Sequence, residues 1–375
     1  MLKDKNYVLI LKNVIGYKYD TKRKVIRREN GYMVKMRDVA KLANVSVATV
    51  SRVLHNSETV REATRKKVLS VIEQLNYQPN MLARQFRRNE TKIILVVVPS
   101  IMNTVFSGII EGIEYEASKH GYRVLLGNTN RNVENEYGLV ELLKQKQTDG
   151  MILLSERMDA DYIKALSEEY PLVLATAYIE GLKVPSVSID NVSSSRDAVE
   201  HLINLGHREI AHITGPLQFA MSRGRYKGYK QALMQNNIEV RNMLVQEGDY
   251  TFESGYNQML KIMAIEKTPT AIFAANDDMA MGAIKAAKEL GHNVPTDIAV
   301  VGFDNIGFSS RFDPALTTVA QPLFEMGQKS MNLLLLQMQG EPLVKSQYVL
   351  ECELIVRDSC GGKKKEKVLN EKLTT

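Results

Sequence analysis

Short polar clusters follow apolar runs at three places in the chain, and their side chains could bind a small polar molecule. They are Pro99-Ser100-Ile101-Met102-Asn103, Asn276-Asp277-Asp278 and Asp304-Asn305. Carboxylates accept hydrogen bonds, and amides both donate and accept them. Ligands of open parallel sheets bind beyond the carboxyl ends of the strands, so clusters at strand ends would line one cleft together. The alternative is ordinary loop polarity, which needs no ligand.

The histidines do not form a catalytic or metal-binding pattern. None has the spacing of metal ligands, and the chain contains neither a nucleophile elbow nor a phosphate-binding loop. Three of them lie close in sequence but are divided between a helix end, a loop and a strand. We therefore expect no enzymatic activity, no catalytic residue, no metal and no cofactor. The six histidines are His55, His120, His201, His207, His212 and His292.

The strongest local pattern lies in residues 35–55, KMRDVAKLANVSVATVSRVLH. Apolar residues recur at helical spacing on both sides of a short break at Asn44-Val45-Ser46. Ser46 is a good N-cap for the second helix, because its hydroxyl can accept a free backbone amide of the first turn. Two short helices joined by a tight turn predict a helix-turn-helix, whose second helix enters the major groove of DNA. The alternative is an ordinary helical hairpin packed on another element.

The charge distribution supports a polyanion partner for the amino-terminal part of the chain only. Residues 35–92 contain 12 Lys or Arg and 5 Asp or Glu, and the first 34 residues contain 9 and 3. Residues 93–360 have a net charge of −10. Basic side chains displace counterions from phosphates, whereas an acidic surface is repelled by DNA. The larger, acidic part therefore has another task.

Composition places the chain in the cytoplasm of a bacterial cell, close to the nucleoid. The two cysteines, Cys352 and Cys360, cannot make a disulfide framework, and reduced thiols are the default. No stretch approaches 18 consecutive apolar residues, so no membrane span is expected. Residues 1–34 are basic and show no credible helix or hairpin, which predicts a disordered arm or a true translation start at Met33.

The rest of the chain alternates apolar strands with amphipathic helices. A third helix covers 61–75, and residues 79–91 form a basic linker in which Pro79 can begin a short helix. Strands are expected at 93–98, 123–127, 150–154, 172–175, 187–189, 210–213, 244–246, 271–274 and 298–303. This pattern favours two doubly wound parallel sheets, although a barrel stays open. The polar tail 358–375 is expected to be disordered.

These motifs resemble the LacI/GalR family of bacterial transcription regulators. The resemblance covers residues 35–357 and is nearest to the branch of cytidine-responsive repressors, through RNETKIILVVVPS (88–100), GDYTFESG (248–255) and CELIVR (352–357). The wider family signature consists of MRDVAKLANVSVATVSRVLH (36–55), LNYQPNMLAR (75–84), HLINLGHREIAHITGP (201–216), GYKQAL (228–233), ANDDMAMGAI (275–284), VPTDIAVVGFDN (294–305) and LTTVAQP (316–322).

The resemblance implies an all-α headpiece joined to an α/β core like the periplasmic sugar-binding proteins. The headpiece would span 35–78, the hinge helix 79–91 and the core 92–357. The N-subdomain would comprise 92–190 and 322–343, and the C-subdomain 191–321 and 344–357. The chain would cross between these subdomains three times, near 190, 321 and 341–350.

The resemblance also implies which residues contact DNA. Small apolar side chains at the start of the recognition helix suit contact with thymine methyl groups, hydroxyls suit phosphates, and an arginine can reach a guanine. Phe86 stands where the family commonly has a leucine that wedges into the minor groove; packing between hinge and core is the alternative role. The implied contacts are Val47, Ala48, Thr49, Ser51, Arg52, Asn76, Tyr77, Ala83, Arg84 and Phe86.

The implied effector site lies in the cleft of the core. Arg225, Asn276 and Asp304 match the family's polar ligands and suit ring hydroxyls or a nucleobase edge. Phe106 and Tyr250 would supply aromatic faces. Two structural alternatives stay open, namely that Asp304 caps a helix and that Phe106 belongs to the core.

The expected protein is a homodimeric repressor of a catabolic operon that reads a pseudo-palindromic operator. A small molecule in the cleft, a nucleoside or a sugar, would modulate DNA binding by induction or by corepression. One alternative is a family member controlled by a protein corepressor. A solute-binding transport protein would share the core, but it has no use for a basic helix-turn-helix.

Overall fold

The chain divides into two units, residues 1–89 and residues 90–375. A computed structural model describes residues 17–20, 25–28, 34–55, 59–77, 90–155, 157–176, 181 and 183–362. Most of the predicted hinge, with Ala83, Arg84 and Phe86, therefore lies outside the described residues.

Three helices form the headpiece: α1 (Met36–Ala43), α2 (Val47–His55) and α3 (Glu62–Leu75). After α1 the chain turns at Asn44, which has a left-handed φ of 48°. The Ser46 hydroxyl accepts a hydrogen bond from the Thr49 amide at 3.0 Å, so the predicted N-cap is confirmed. The helices share one small apolar core, made of Val39, Ala40, Ala43, Val50, Val53, Val68, Val71, Leu75 and Tyr77.

A two-stranded hairpin precedes the headpiece, and here the sequence prediction was wrong. Strand β1 (Tyr17–Asp20) pairs antiparallel with β2 (Val25–Arg28). Both segments contain aromatic or β-branched residues, which favour strands. Each is only four residues long, so neither shows a periodicity that the sequence could reveal. The proposed start at Met33 stays a prediction.

The core contains twelve strands within the described residues, arranged in two six-stranded sheets. The first sheet has the order β13-β7-β6-β5-β3-β4 and the second β14-β12-β11-β10-β8-β9. The strands are β3 (Ile93–Val98), β4 (Arg123–Asn128), β5 (Gly150–Leu153), β6 (Leu172–Ala175), β7 (Ser186–Ile189), β8 (Ile210–Thr214), β9 (Val245–Glu247), β10 (Ala271–Ala274), β11 (Ala299–Asp304), β12 (Thr317–Ala320), β13 (Gln347–Leu350) and β14 (Glu353–Ile355).

Eight described helices accompany these sheets. They bury their apolar stripes against the strands, as expected for parallel sheets covered on both faces. They are α4 (Val105–Lys119), α5 (Val133–Lys144), α6 (Ala160–Glu169), α7 (Asn191–Asn204), α8 (Ala220–Gln235), α9 (Phe252–Met263), α10 (Asp277–Glu289) and α11 (Leu323–Met338). None of the helices in the described part of the chain is long and apolar enough to span a membrane.

Two open sheets, and not a barrel, are confirmed. Every strand pair of the two sheets is parallel except β12 with β14. Strands β12, β13 and β14 and helix α6 were absent from the sequence prediction. The two carboxyl-terminal strands are short and only partly buried, so they lack the continuous apolar run by which the others were found.

The third crossing between subdomains lies later than predicted. Strand β13 pairs with β7 in the first sheet, and β14 pairs with β12 in the second. Residues 344–350 therefore belong to the N-subdomain, and the chain crosses at Glu351-Cys352. The prediction of 344–357 as C-subdomain was wrong because strand pairing across 160 residues leaves no local signature.

The predicted disorder from residue 358 is also wrong at its start. Ser359 and Cys360 are buried against the second sheet. The Ser359 hydroxyl donates to the Val300 carbonyl at 2.6 Å and accepts from the Thr317 amide at 2.8 Å. These bonds tie the segment to two strands. Residues 363–375 lie outside the described part.

Candidate functional site

A cavity of about 260 Å³ lies between the carboxyl ends of the two sheets. All five residues predicted to bind an effector line this cavity: Phe106, Arg225, Tyr250, Asn276 and Asp304. Its walls come from both subdomains, so a molecule bound there would touch both. This is the position that open parallel sheets reserve for ligands.

Arg225 is a buried cation at the floor of the cavity. It lies on α8, only 1% of its surface is exposed, and it packs 3.7 Å from the Phe303 ring centre. Its Nε donates to Asn191 Oδ1 at 2.9 Å. One Nη1 donates to the Ala275 carbonyl and lies 3.4 Å from Asp304 Oδ1. A buried charge requires such partners, because an unpaired one would be strongly destabilising.

Asp304 ends β11 in a left-handed backbone conformation, with φ 114°. Its Oδ1 accepts hydrogen bonds from Arg225 and, at 2.6 Å, from Gln321 Nε2. Burial raises the pKa of Asp304 to about 6, although Arg225 and Gln321 both favour the ionised form. These partners are side chains of the cavity, and not the amides of a helix end.

Asn276 and Tyr250 support each other in the C-subdomain. Asn276 caps α10 by accepting from the Met279 amide at 3.0 Å, and it donates to the Tyr250 carbonyl at 3.1 Å. The Tyr250 hydroxyl lies 2.6 Å from the Ser222 hydroxyl. A Cβ on Gly215 would come within 2.1 Å of the Tyr250 ring, so only glycine permits this packing. Asn276 thus has a capping role besides its place in the cavity.

Phe106 combines the two roles that the sequence left open. It lies in the first turn of α4, it is half-buried, and it lines the cavity. It also packs against the apolar clusters of both subdomains. Core packing therefore fixes the ring that faces the cavity.

Asp277 has a role that the sequence did not reveal. It is fully buried behind the cavity, where its carboxylate accepts from the Ile306 amide at 2.9 Å and from the Ser309 and Thr318 hydroxyls at 2.5 Å. Burial, with the nearby charge of Asp304, raises its pKa to about 7. Asp277 therefore joins the loops after β11 to β12 and holds Asp304 in place.

The N-subdomain wall was missed by sequence reasoning. Arg131, Ser155 and Arg157 line the cavity, and the Arg157 guanidinium lies 4.7 Å from the ring centre of Phe219 across the cleft. Although burial opposes it, hydrogen bonds from Thr251 and the charge of Arg131 lower the pKa of Asp249. Only the positions of these residues just after β4 and β5 could have drawn attention to them.

The expected DNA-reading side chains lie on α2. Val47 is 41% exposed, Ala48 and Arg52 are exposed, and Thr49 and Ser51 are half-buried. The Thr49 hydroxyl lies 2.9 Å from that of Ser46, so it also stabilises the start of the helix.

Asn76 and Tyr77 do not share one environment. Asn76 is exposed and ends α3 in a left-handed conformation. Tyr77 is only 7% exposed and belongs to the headpiece core, where its ring packs against the helices. The structure therefore gives Tyr77 a packing role, and a DNA contact from it stays a prediction.

No metal centre accompanies these sites. Among the described residues, no group of three or more His, Cys, Asp or Glu side chains could hold a metal ion.

A headpiece with a helix-turn-helix and a two-subdomain core with a cleft define a ligand-responsive DNA-binding protein. Comparison with known proteins gives the family. Residues 35–80 match the bacterial regulatory proteins of the lacI family, and residues 199–360 match a periplasmic binding protein-like domain.

Relatives match over nearly their whole length. The HTH-type transcriptional repressor CytR of Escherichia coli (strain K12) is 42% identical over 325 residues, which cover 86% of this chain and 95% of that protein. Catabolite control protein A of Priestia megaterium is 38% identical over 315 residues, covering 84% and 95%. A Lac repressor dimer bound to operator and the anti-inducer ONPF has a TM-score of 0.80 and 33% identity, covering 88% and 99%.

The chain therefore belongs to the LacI family of bacterial regulatory proteins. It is a DNA-binding transcriptional regulator, similar to named repressors, and the predicted fold class and family are confirmed.

Proposed function

We propose that this regulator is a homodimeric repressor of a catabolic operon, whose binding to a pseudo-palindromic operator is controlled by a nucleoside in the cleft. It acts in the cytoplasm on the nucleoid and performs no catalysis. The observation that supports this most is the buried Arg225–Asp304 pair at the floor of a cavity with aromatic walls.

The polar floor suits a hydroxylated ring. Arg225 is a donor only, the Asp304 carboxylate is an acceptor only, and Asn276 offers both kinds of group. A pair of neighbouring hydroxyls can donate to Asp304 and accept from Arg225 at the same time. Both ribose and simple sugars satisfy this arrangement.

The aromatic walls favour a nucleoside over a simple sugar. Phe106 comes from the N-subdomain, and Phe219 and Tyr250 come from the C-subdomain. A planar base can stack on such faces, and stacking of this kind stabilises binding by about 1–3 kcal/mol per base. A ligand with a hydroxylated ring and a planar base would use the floor and the walls together.

Cleft closure would couple this ligand to DNA. A molecule that touches both subdomains shifts them against each other, as in other hinge-type transitions. The coupling is reciprocal, so operator DNA changes the effector affinity by the same factor as the effector changes the DNA affinity.

Exposed apolar side chains of the N-subdomain support a homodimer. Leu125 and Leu126 lie on β4, the edge strand of the first sheet, and are 43% and 46% exposed. Tyr115 and Phe324 form an exposed aromatic pair with ring centres 5.5 Å apart. Association through this face is consistent with the dimeric Lac repressor. Sedimentation of the full chain as a monomer at micromolar concentration would contradict it.

Calorimetry of the full chain against cytidine, uridine, adenosine, inosine, ribose and glucose tests the effector class. Nucleosides are expected to bind and simple sugars not to. Asp304→Asn removes the acceptor at the floor and should abolish binding. Asp313→Asn alters an exposed carboxylate paired with Lys288 and should not. If no small molecule binds while the chain still binds DNA, a protein corepressor replaces this proposal.

Effector affinity is expected to fall below pH 6. The ionised carboxylate of Asp304 accepts from the ligand, and its pKa is about 6, so protonation removes that acceptor. At pH 5 binding should be about tenfold weaker than at pH 7. A folded-state pKa above the ordinary value of 3.8 means that this group loses stability as pH rises, so acid does not unfold the site through Asp304.

Titration calorimetry at pH 5, 6, 7 and 8 measures this dependence. The same series with Asp313→Asn should reproduce the wild-type curve. A flat profile in the wild type would show that the ligand does not use the Asp304 carboxylate.

Replacing Arg52 by alanine is expected to weaken operator binding. Arg52 is exposed on α2, and an arginine that contacts a base contributes about 1–3 kcal/mol of discrimination. Selection of binding sequences from a random pool, followed by fluorescence anisotropy at several salt concentrations, measures both affinity and specificity. Arg123→Ala, an exposed arginine of the core, is the matched control. Equal affinities of wild type and Arg52→Ala for the selected sites would contradict the assignment.

A further inference from the structure

Ser155 follows β5 and places its hydroxyl at the N-subdomain wall of the cavity. The side chain is 6% exposed and lines the same space as Arg225. Its hydroxyl donates to Oε1 of Glu136, a fully buried carboxylate on α5. The pair therefore joins a ligand-facing hydroxyl to an acid behind the wall.

The hydrogen-bond pattern commits the only proton of Ser155. Glu136 Oε2 is buried and has no hydrogen-bond partner among the described residues. A protonated Glu136 would put a second hydroxyl proton at that atom, where it would find no acceptor, so the ionised form fits the geometry. An ionised carboxylate accepts only, and Ser155 must donate to it. The Ser155 oxygen then presents lone pairs alone to the cavity.

A donor lies two residues away. Arg157 lines the cavity with its guanidinium over the Phe219 ring, and a guanidinium donates only. Its charge also favours the ionised form of Glu136, which burial opposes by raising the pKa of that acid. The wall thus offers an acceptor and a donor next to each other.

We propose that Ser155, oriented by Glu136, selects effectors whose ring carries an amino group, with Arg157 reading a neighbouring acceptor on the same ring. This inference rests on the proposed nucleoside function and narrows it to amino-bearing bases. A carbonyl at the same place would face the lone pairs of Ser155 and leave two acceptors unpaired.

Matched nucleosides that differ only in this group provide the test. The full chain is titrated with cytidine against uridine and with adenosine against inosine. In each pair we expect the amino member to bind about ten- to a hundredfold more tightly, the range for a lost hydrogen bond that leaves buried groups unpaired. The preference ratio is the readout, because general damage to the fold lowers both affinities together.

Two variants separate the acceptor from its positioning residue. Ser155→Ala should reduce the preference to less than about threefold, since the acceptor is gone. Glu136→Gln should reduce it as well, because an amide can donate to Ser155 and release the hydroxyl proton toward the ligand. Ser155→Thr keeps the hydroxyl and should keep the preference. Ser167→Ala, which removes an exposed hydroxyl on α6 of the same subdomain, is the matched control.

The outcomes distinguish this inference from the proposal beneath it. Equal binding of amino and carbonyl members, or a preference that survives in Ser155→Ala, overturns the role of Ser155 and leaves the nucleoside proposal standing. Binding of none of the four nucleosides contradicts both.

Discussion

Arg225→Ala is expected to abolish effector binding and to lower the free energy of unfolding by about 3–5 kcal/mol, the usual cost of breaking a buried ion pair. The substitution leaves Asp304, Asn191 Oδ1 and the Ala275 carbonyl without their donor. It also opens a void against Phe303. Urea denaturation measures the stability, and calorimetry with the nucleoside panel measures the binding.

Two further variants make this result specific. Arg311→Ala removes an exposed arginine of the same subdomain and should change stability by less than about 0.5 kcal/mol. Arg225→Lys keeps the charge but has no planar fork, so it cannot serve Asn191, Ala275 and Asp304 together. We expect it to fold and to bind effector at least tenfold more weakly, about 1.4 kcal/mol. A wild-type effector affinity in Arg225→Ala would remove Arg225 from the site.

Gly112→Ala is expected to destabilise the N-subdomain by about 3 kcal/mol or more, at the upper end of overpacking effects. Helices α4 and α11 approach so closely that a Cβ on Gly112 would lie 2.1 Å from the Phe324 carbonyl oxygen and 3.1 Å from the Gln328 amide nitrogen. Both obstacles are backbone atoms, so no side-chain rotation relieves the clash. Gly327 faces the same contact from α11, where a Cβ would lie 2.0 Å from the Ile109 carbonyl oxygen.

The matched control has the opposite sign. Gly138 lies exposed in the middle of α5, and nothing lies within 4 Å of a Cβ built there. Gly138→Ala should stabilise the protein by about 0.5–1 kcal/mol, because alanine loses less backbone entropy in a helix. Thermal and urea unfolding of the two variants test the contrast. Equal stabilities would show that α4 and α11 can separate at little cost.

Local patterns account for the parts of the fold that the sequence revealed. The headpiece helices and the Ser46 cap follow from 3.6-residue periodicity and from one side chain beside its own backbone. The nine predicted strands have counterparts in the structure because each is a buried apolar run that is legible without its neighbours. The polar residues just after such runs, including Asn276 and Asp304, were found by the same reasoning.

Long-range pairing accounts for what was missed. Strands β13 and β14 are short and partly exposed, and their partners lie far away in the chain, so the third crossing was misplaced. The N-subdomain wall has the same cause. Ser155 and Glu136 are 19 residues apart and meet only when α5 packs behind β5.

The amino-acid sequence by itself determined the helix-turn-helix, the alternating strands and helices, the basic charge of the head and five side chains of the cleft, because capping, periodicity and charge act within a few residues. Tertiary structure alone decided which sheet the carboxyl-terminal strands join, that Tyr77 is buried, and that Arg131, Ser155 and Arg157 face Arg225 across one cavity. These features depend on how two sheets fold and meet, and the free energy of such contacts is shared among residues that no local pattern connects.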